Sequence, residues 1–186
     1  LPDKEIEKFA KIEEEMTAKD RIEIEIDNTK NKLESLIFST ENELNSLSIE
    51  NDKDKDDIEK IKSNVSVIHS WFEENEFERL SLDLYKKKVS EIDEQINQFF
   101  QFKKYKQTVA FLENLKHDLA FSQIAVKKNE DKIGIESCTQ FQTEISSQIS
   151  EIDELLKLPK NVLLKADSAS IQFKVNEIAN KIEMKI

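Results

Sequence analysis

One glycine, Gly134, and two prolines, Pro2 and Pro159, stand in a chain of 186 residues. Average usage is about 7% Gly and about 5% Pro. Glycine supplies the positive-φ positions of tight turns, and proline interrupts helices. A chain with almost neither has few places to turn. The expected fold is therefore all-α: an elongated helical bundle made of a few long helices.

Composition narrows the function classes. Charged residues make up 36% and hydrophobic residues 38%, which suits long helices with wide solvated faces around a thin core. The net charge of −11 argues against a nucleic-acid partner, because phosphate binding needs clustered Lys and Arg. The acidity is uneven. Residues 1–60 carry 19 acidic and 10 basic residues, whereas residues 61–128 carry 10 and 11. No apolar run approaches the roughly 20 residues of a membrane span. The sequence starts at Leu1 without a Met and contains no signal-peptide pattern, so it is expected to be part of a larger protein.

Periodicity places the helices. Asp3 is positioned to cap a first helix, whose stripe is Ile6, Phe9, Ala10, Ile12 and Met16. The segment from Arg21 to Asp27 alternates apolar and charged residues like a strand. It lacks flanking turn residues, however, and Leu33, Leu36, Ile37, Leu44 and Leu47 continue at helical spacing. One helix is expected over about 21–48, with a bend near Asp20. Residues 48–57, rich in Asx, read as a loop, and they lack the EF-hand pattern for calcium.

Ile58, Ile61, Val65, Ile68 and Phe72 form a heptad seam ending at Trp71–Phe72, with Asn75 as the closing cap. A third bundle helix is expected over about 77–104, with Phe77, Leu80, Leu84, Ile92, Ile96 and Phe99 inward. Further helices are expected over about 107–132 and 137–158, the latter with Phe141, Ile145, Ile149, Ile152 and Leu156 inward. A last helix, capped by Asp167 or Ser168, carries Ile171, Val175, Ile178 and Ile182. The dense aromatics Phe99, Phe100, Phe102, Phe111 and Phe121 read as core at a helix junction. Were they exposed, they would mark a client-binding patch.

Little in the chain suggests chemistry. His69 and His117 have no Cys or second His at ligand spacing, so no metal site is expected. Cys138 stands alone and reads as a small buried residue. There is no glycine-rich phosphate loop, and the many Glu lie on solvated faces without a pocket to shift them. The segment is expected to be no enzyme, with no catalytic residues, cofactor or metal. Asn64–Val65–Ser66 is a glycosylation sequon, which makes Asn64 a candidate modification site.

Several segments together carry a family resemblance. The stretch from Leu1 through Pro2, Asp3 and Ile6 to Phe9 resembles the start of the helical lid in the 70-kDa heat-shock chaperones. Ala18–Lys19–Asp20–Arg21 and the run from Asn31 to Phe38 resemble the next lid helix. The Asp57–Ile61 segment, followed by Ser70–Trp71–Phe72–Glu73–Glu74–Asn75, resembles the segment ending in the lid tryptophan. The agreement spans about residues 1–97.

Ordinary members continue with a short flexible tail, whereas about ninety more residues with helical patterning follow here. Phe99–Phe100 with the lysines up to Lys106, then Leu158–Pro159 with Val162 to Lys165, resemble the extension of the large endoplasmic-reticulum members, the 170-kDa glucose-regulated or Lhs-type chaperones. The chain ends at Ile186 without the Lys-Asp-Glu-Leu signal of such a protein.

The resemblance implies a lid-like bundle over 1–105 and a helical extension over 106–186, packing on or beside it. It implies a parent that binds ATP upstream, resides in the endoplasmic-reticulum lumen and serves as nucleotide exchange factor for the lumenal 70-kDa chaperone. That parent would also hold unfolded polypeptides and support folding and translocation. A cytoplasmic protein, or a helical scaffold unrelated to chaperones, is the alternative. The acidic face of residues 1–60, with Glu23, Glu25, Asp27 and Glu34, is the candidate surface for the partner's nucleotide-binding domain.

Overall fold

The structure, a computed structural model, describes residues 3–47 and 52–185. Those residues form helices and no strands: α1 (Asp3–Asn45), α2 (Asp52–Glu74), α3 (Leu82–Lys128), α4 (Glu130–Ile133), α5 (Ile135–Leu156), α6 (Lys160–Leu163) and α7 (Ser168–Glu183). The all-α expectation holds. Two compact units divide the chain, residues 1–100 and 101–186, and α3 contributes to both.

In the first unit α1 packs against α2. Leu33, Ile37 and Leu44 of α1 are buried. So are all five seam residues of α2, from Ile58 to Phe72, and Tyr85, Val89, Ile92 and Phe99 of α3. The heptad spacing read from α2 is thus a core seam along its whole length. Lys30 fastens the end of the bundle, its Nζ donating to the Glu76 carbonyl and standing 5.9 Å from the centre of the Phe72 ring.

Several expected boundaries shift. Residues 3–45 are one helix, so the strand-like run at 21–27 is helical. The loop expected over 48–57 is helical from Asp52 onward, and residues 48–51 lie outside the described ones, as does the Asp3 side chain. The third helix begins at Leu82, not near 77. Ser81 Oγ accepts a bond from the Leu84 amide at 3.4 Å, a capping arrangement that fixes the start. Residues ahead of it form successive turns, with Glu78 N donating to the Asn75 carbonyl at 3.1 Å. Phe77 and Leu84, expected inward, are exposed, Phe77 by 95%. Asn75 does close α2, through Nδ2 donating to the Trp71 carbonyl at 2.7 Å.

The break expected between 104 and 107 does not exist. No Gly or Pro interrupts α3, and the seam runs on through Phe102, Leu112, Leu115, Leu119 and Val126, all buried. In the second unit Leu112, Leu115, Leu119 and Val126 share one core with Ile133, Cys138, Phe141, Ile145, Ile152, Leu163, Ile171, Val175, Ile178 and Ile182. Gly134 joins α4 to α5 at φ +86° and ψ 147°, a combination open essentially to glycine alone. Pro159 precedes α6. Asp167 caps α7, accepting from the Ser170 amide at 3.1 Å.

Candidate docking surface

The apolar residues of α1 lie on two faces. Toward its C-terminal end Leu33, Leu36, Ile37, Thr40 and Leu44 face the bundle, each buried or half-buried. Toward its N-terminal end the apolar residues are bare: Ile6 is 53% exposed, Phe9 61%, Ile12 43% and Met16 61%. Every residue from 5 to 25 is exposed, so the apolar stripe of this half of the helix is uncovered in the described structure. At 3.6 residues per turn the two stripes point in directions roughly 120° apart.

The overlap of these stripes explains the strand-like alternation. Ile22 and Ile26 continue the bundle face backward, and Ile26 is where burial begins. Ile24 sits two residues from each, roughly 200° around the helix, and continues the bare side at 60% exposure. Two helical periods laid over one another look like a period of two. A bend near Asp20 is unnecessary, because the stripe changes face along one helix.

Acidic side chains flank the bare stripe. By helical spacing Glu5, Glu13 and Asp20 lie beside it, with Lys8 and Lys19 along one rim, and all five are exposed. The four carboxylates singled out from sequence are placed differently. Glu23 pairs with Arg79 of the α2–α3 connection. Glu25 Oε1 lies 2.7 Å from Lys86 Nζ on α3. Asp27 lies near Tyr85, whose phenol pKa is pushed up by burial and further by that negative charge. Glu34 is exposed on α1. The first two carboxylates therefore serve to brace α1. Exposed pairs of this kind each contribute about 0–1 kcal/mol, so they bias the helix position without locking it.

Trp71 is half-buried. Its ring meets Tyr85 edge-on at 6.0 Å, and Lys88 Nζ stands 5.0 Å from its centre. Asn64, the sequon residue, is half-buried, and its Nδ2 donates to Gln95 Oε1 at 3.0 Å. A glycan on that nitrogen would have to displace this bond between α2 and α3.

The phenylalanine-rich stretch divides between core and surface. Phe99 and Phe102 are buried and Phe111 is half-buried, whereas Phe100 and Phe121 are exposed. Cys138 is buried, with Sγ 3.9 Å from the Val126 carbonyl. Among the described residues no cluster of His, Cys, Asp and Glu could hold a metal ion, and no helix is long and apolar enough to cross a membrane.

Sequence reasoning assigned the N-terminal stripe its helix but not its exposure. The signal was present as the change of phase between Met16 and Leu33. The Glu23–Arg79 and Glu25–Lys86 pairs had no comparable signal, since nothing local links residues so far apart in the chain.

Comparison with protein-family models, with curated proteins and with solved structures gives no match.

Proposed function

We propose that this chain is a protein-docking helical domain that uses the N-terminal half of α1 as its docking element. The observation that carries the reading is the bare stripe of Ile6, Phe9, Ile12 and Met16, each exposed on the N-terminal half of α1. A fully buried side chain of this size gains about 1.5–3 kcal/mol. These four are already about half covered, so docking would gain roughly 3–6 kcal/mol in gross terms. Association costs about 4–15 kcal/mol. The stripe is thus an anchor within a wider interface, and its acidic flanks select a partner with Lys or Arg around an apolar groove.

The finer reading is that the parent is an endoplasmic-reticulum chaperone of the 170-kDa glucose-regulated type, acting as nucleotide exchange factor for the lumenal 70-kDa chaperone. Its support is the resemblance of residues 1–97. The described residues of these segments, from Asp3 onward, fall on α1, on α2 and at the turn that closes α2. In this reading the domain embraces the partner's nucleotide-binding domain. Binding that favours the open arrangement of its lobes lowers nucleotide affinity by linkage. ATP would be bound elsewhere in the parent, not by this chain. The test is release of labelled ADP from the lumenal 70-kDa chaperone with and without the chain. Acceleration supports the exchange reading, and unchanged release overturns it.

A further inference from the structure

Phe77 is the most exposed large apolar side chain among the described residues, at 95%. It stands in the turn between α2 and α3, and that turn is held on both sides of it. Asn75 N donates to the Phe72 carbonyl at 3.3 Å, Glu76 N to the Glu73 carbonyl at 3.3 Å and Glu78 N to the Asn75 carbonyl at 3.1 Å. Two side-chain contacts with α1 add to these bonds. Lys30 Nζ donates to the Glu76 carbonyl, and Arg79 pairs with Glu23. The ring itself adds nothing to the core, so its burial is not what fixes the turn.

The two α1 residues that hold the turn lie on the line of the bare stripe. Phe9, Met16, Glu23 and Lys30 are spaced by sevens. Each step of seven moves about 10 Å along the helix and drifts only about 20° around it. Phe9 and Met16 are bare, each 61% exposed. Glu23 and Lys30 reach Arg79 and Glu76, which bracket Phe77. Phe77 is therefore presented past the C-terminal end of the stripe, on the same side of α1. All of these residues belong to the first unit.

We propose that Phe77 is a second anchor of the docking surface, seated in an apolar pocket of the same folded protein whose groove takes the α1 stripe. The proposal rests on the docking reading above and extends its surface from one helix to a helix and a turn. Four stripe residues are few against the roughly 20–30 that a stable interface takes from each partner. A protruding helix and a projecting ring are both convex, so what covers them is concave: a folded domain, not an extended peptide. A ring on a turn already held in place costs little ordering when it binds, and aromatic side chains are enriched at such interfaces. Residues 1–100 carry 27 acidic against 15 basic residues, and Glu76 and Glu78 beside the ring are exposed. The partner's pocket is therefore rimmed by Lys or Arg, and a second copy of this acidic unit is a poor match.

The test measures binding of the fluorescently labelled whole chain to the lumenal 70-kDa chaperone, the partner in the proposed function. The expected result is saturable binding that added salt weakens. Phe77→Ala should reduce the affinity at least about tenfold. Phe173→Ala, which removes a ring 70% exposed in the second unit, should leave it unchanged. Neither ring is in the core, so unchanged thermal melts will show that both variants fold. Full affinity in Phe77→Ala, beside a loss in Phe9→Asp/Met16→Asp, overturns this proposal and leaves the docking reading standing. Equal losses in Phe77→Ala and Phe173→Ala mean general apolar adhesion and also overturn it. Full affinity in Phe9→Asp/Met16→Asp overturns the docking reading and the shared face with it. No binding by the unaltered chain overturns the exchange reading and this proposal together.

Discussion

His69 Nδ1 lies 2.8 Å from Glu41 Oε1, tying α2 to the last turns of α1. The imidazole also meets Phe38 edge-on at 5.2 Å, and its Nε2 is 3.6 Å from Glu73 Oε1. The side chains of His69 and Glu41 are only 21% and 28% exposed, so this pair is better shielded than the ion pairs along α1. A double-mutant cycle of His69→Ala and Glu41→Ala should return a coupling of about 0.5–1 kcal/mol in chemical denaturation. A coupling of zero would show that the contact contributes nothing to the α1–α2 interface.

Tyr85 should give the first unit an alkaline weakness. Burial, and secondarily Asp27, raises its phenol above the ordinary value of 10.0. The unfolded chain releases this proton at the ordinary value, while the folded chain keeps it to higher pH. The associated stability is therefore intact below the unfolded pKa and is lost as pH rises through the folded one. Tyr85→Phe should flatten the alkaline decline of the denaturation midpoint. The same decline in Tyr85→Phe would contradict this account.

Gly134 is required by its backbone, not by crowding. A Cβ added there would meet nothing within 4 Å, yet φ is +86°. Gly134→Ala should destabilise the second unit by about 1–3 kcal/mol, read from its denaturation midpoint. An unchanged midpoint would mean that the α4–α5 junction relaxes without cost.

The parts of the fold that were legible in the sequence are those set by local pattern. The seam from Ile58 to Phe72 and the stripe from Ile171 to Ile182 are buried as their spacing requires. The junctions were read less well. Ser81 outcompetes Phe77 as the start of α3 through one capping bond, and the continuity of α3 past residue 104 depends on a seam shared with α5 to α7. The candidate surface was legible in part. The acidity of residues 1–60 points to Glu23 and Glu25, but only tertiary structure shows Arg79 and Lys86 pairing with them. Exposure of Phe9 and Met16 likewise depends on what the rest of the chain does not cover.

Docking through the N-terminal stripe of α1 is what the proposed function stands on. The most direct measurement is ADP release from the lumenal 70-kDa chaperone in the presence of the chain and of Phe9→Asp/Met16→Asp. Both side chains are 61% exposed, so the variant should melt with the parent chain. The prediction is that it loses most of the acceleration given by the unaltered chain, by about tenfold or more in apparent affinity. Acceleration by Phe9→Asp/Met16→Asp equal to that of the unaltered chain would contradict the claim.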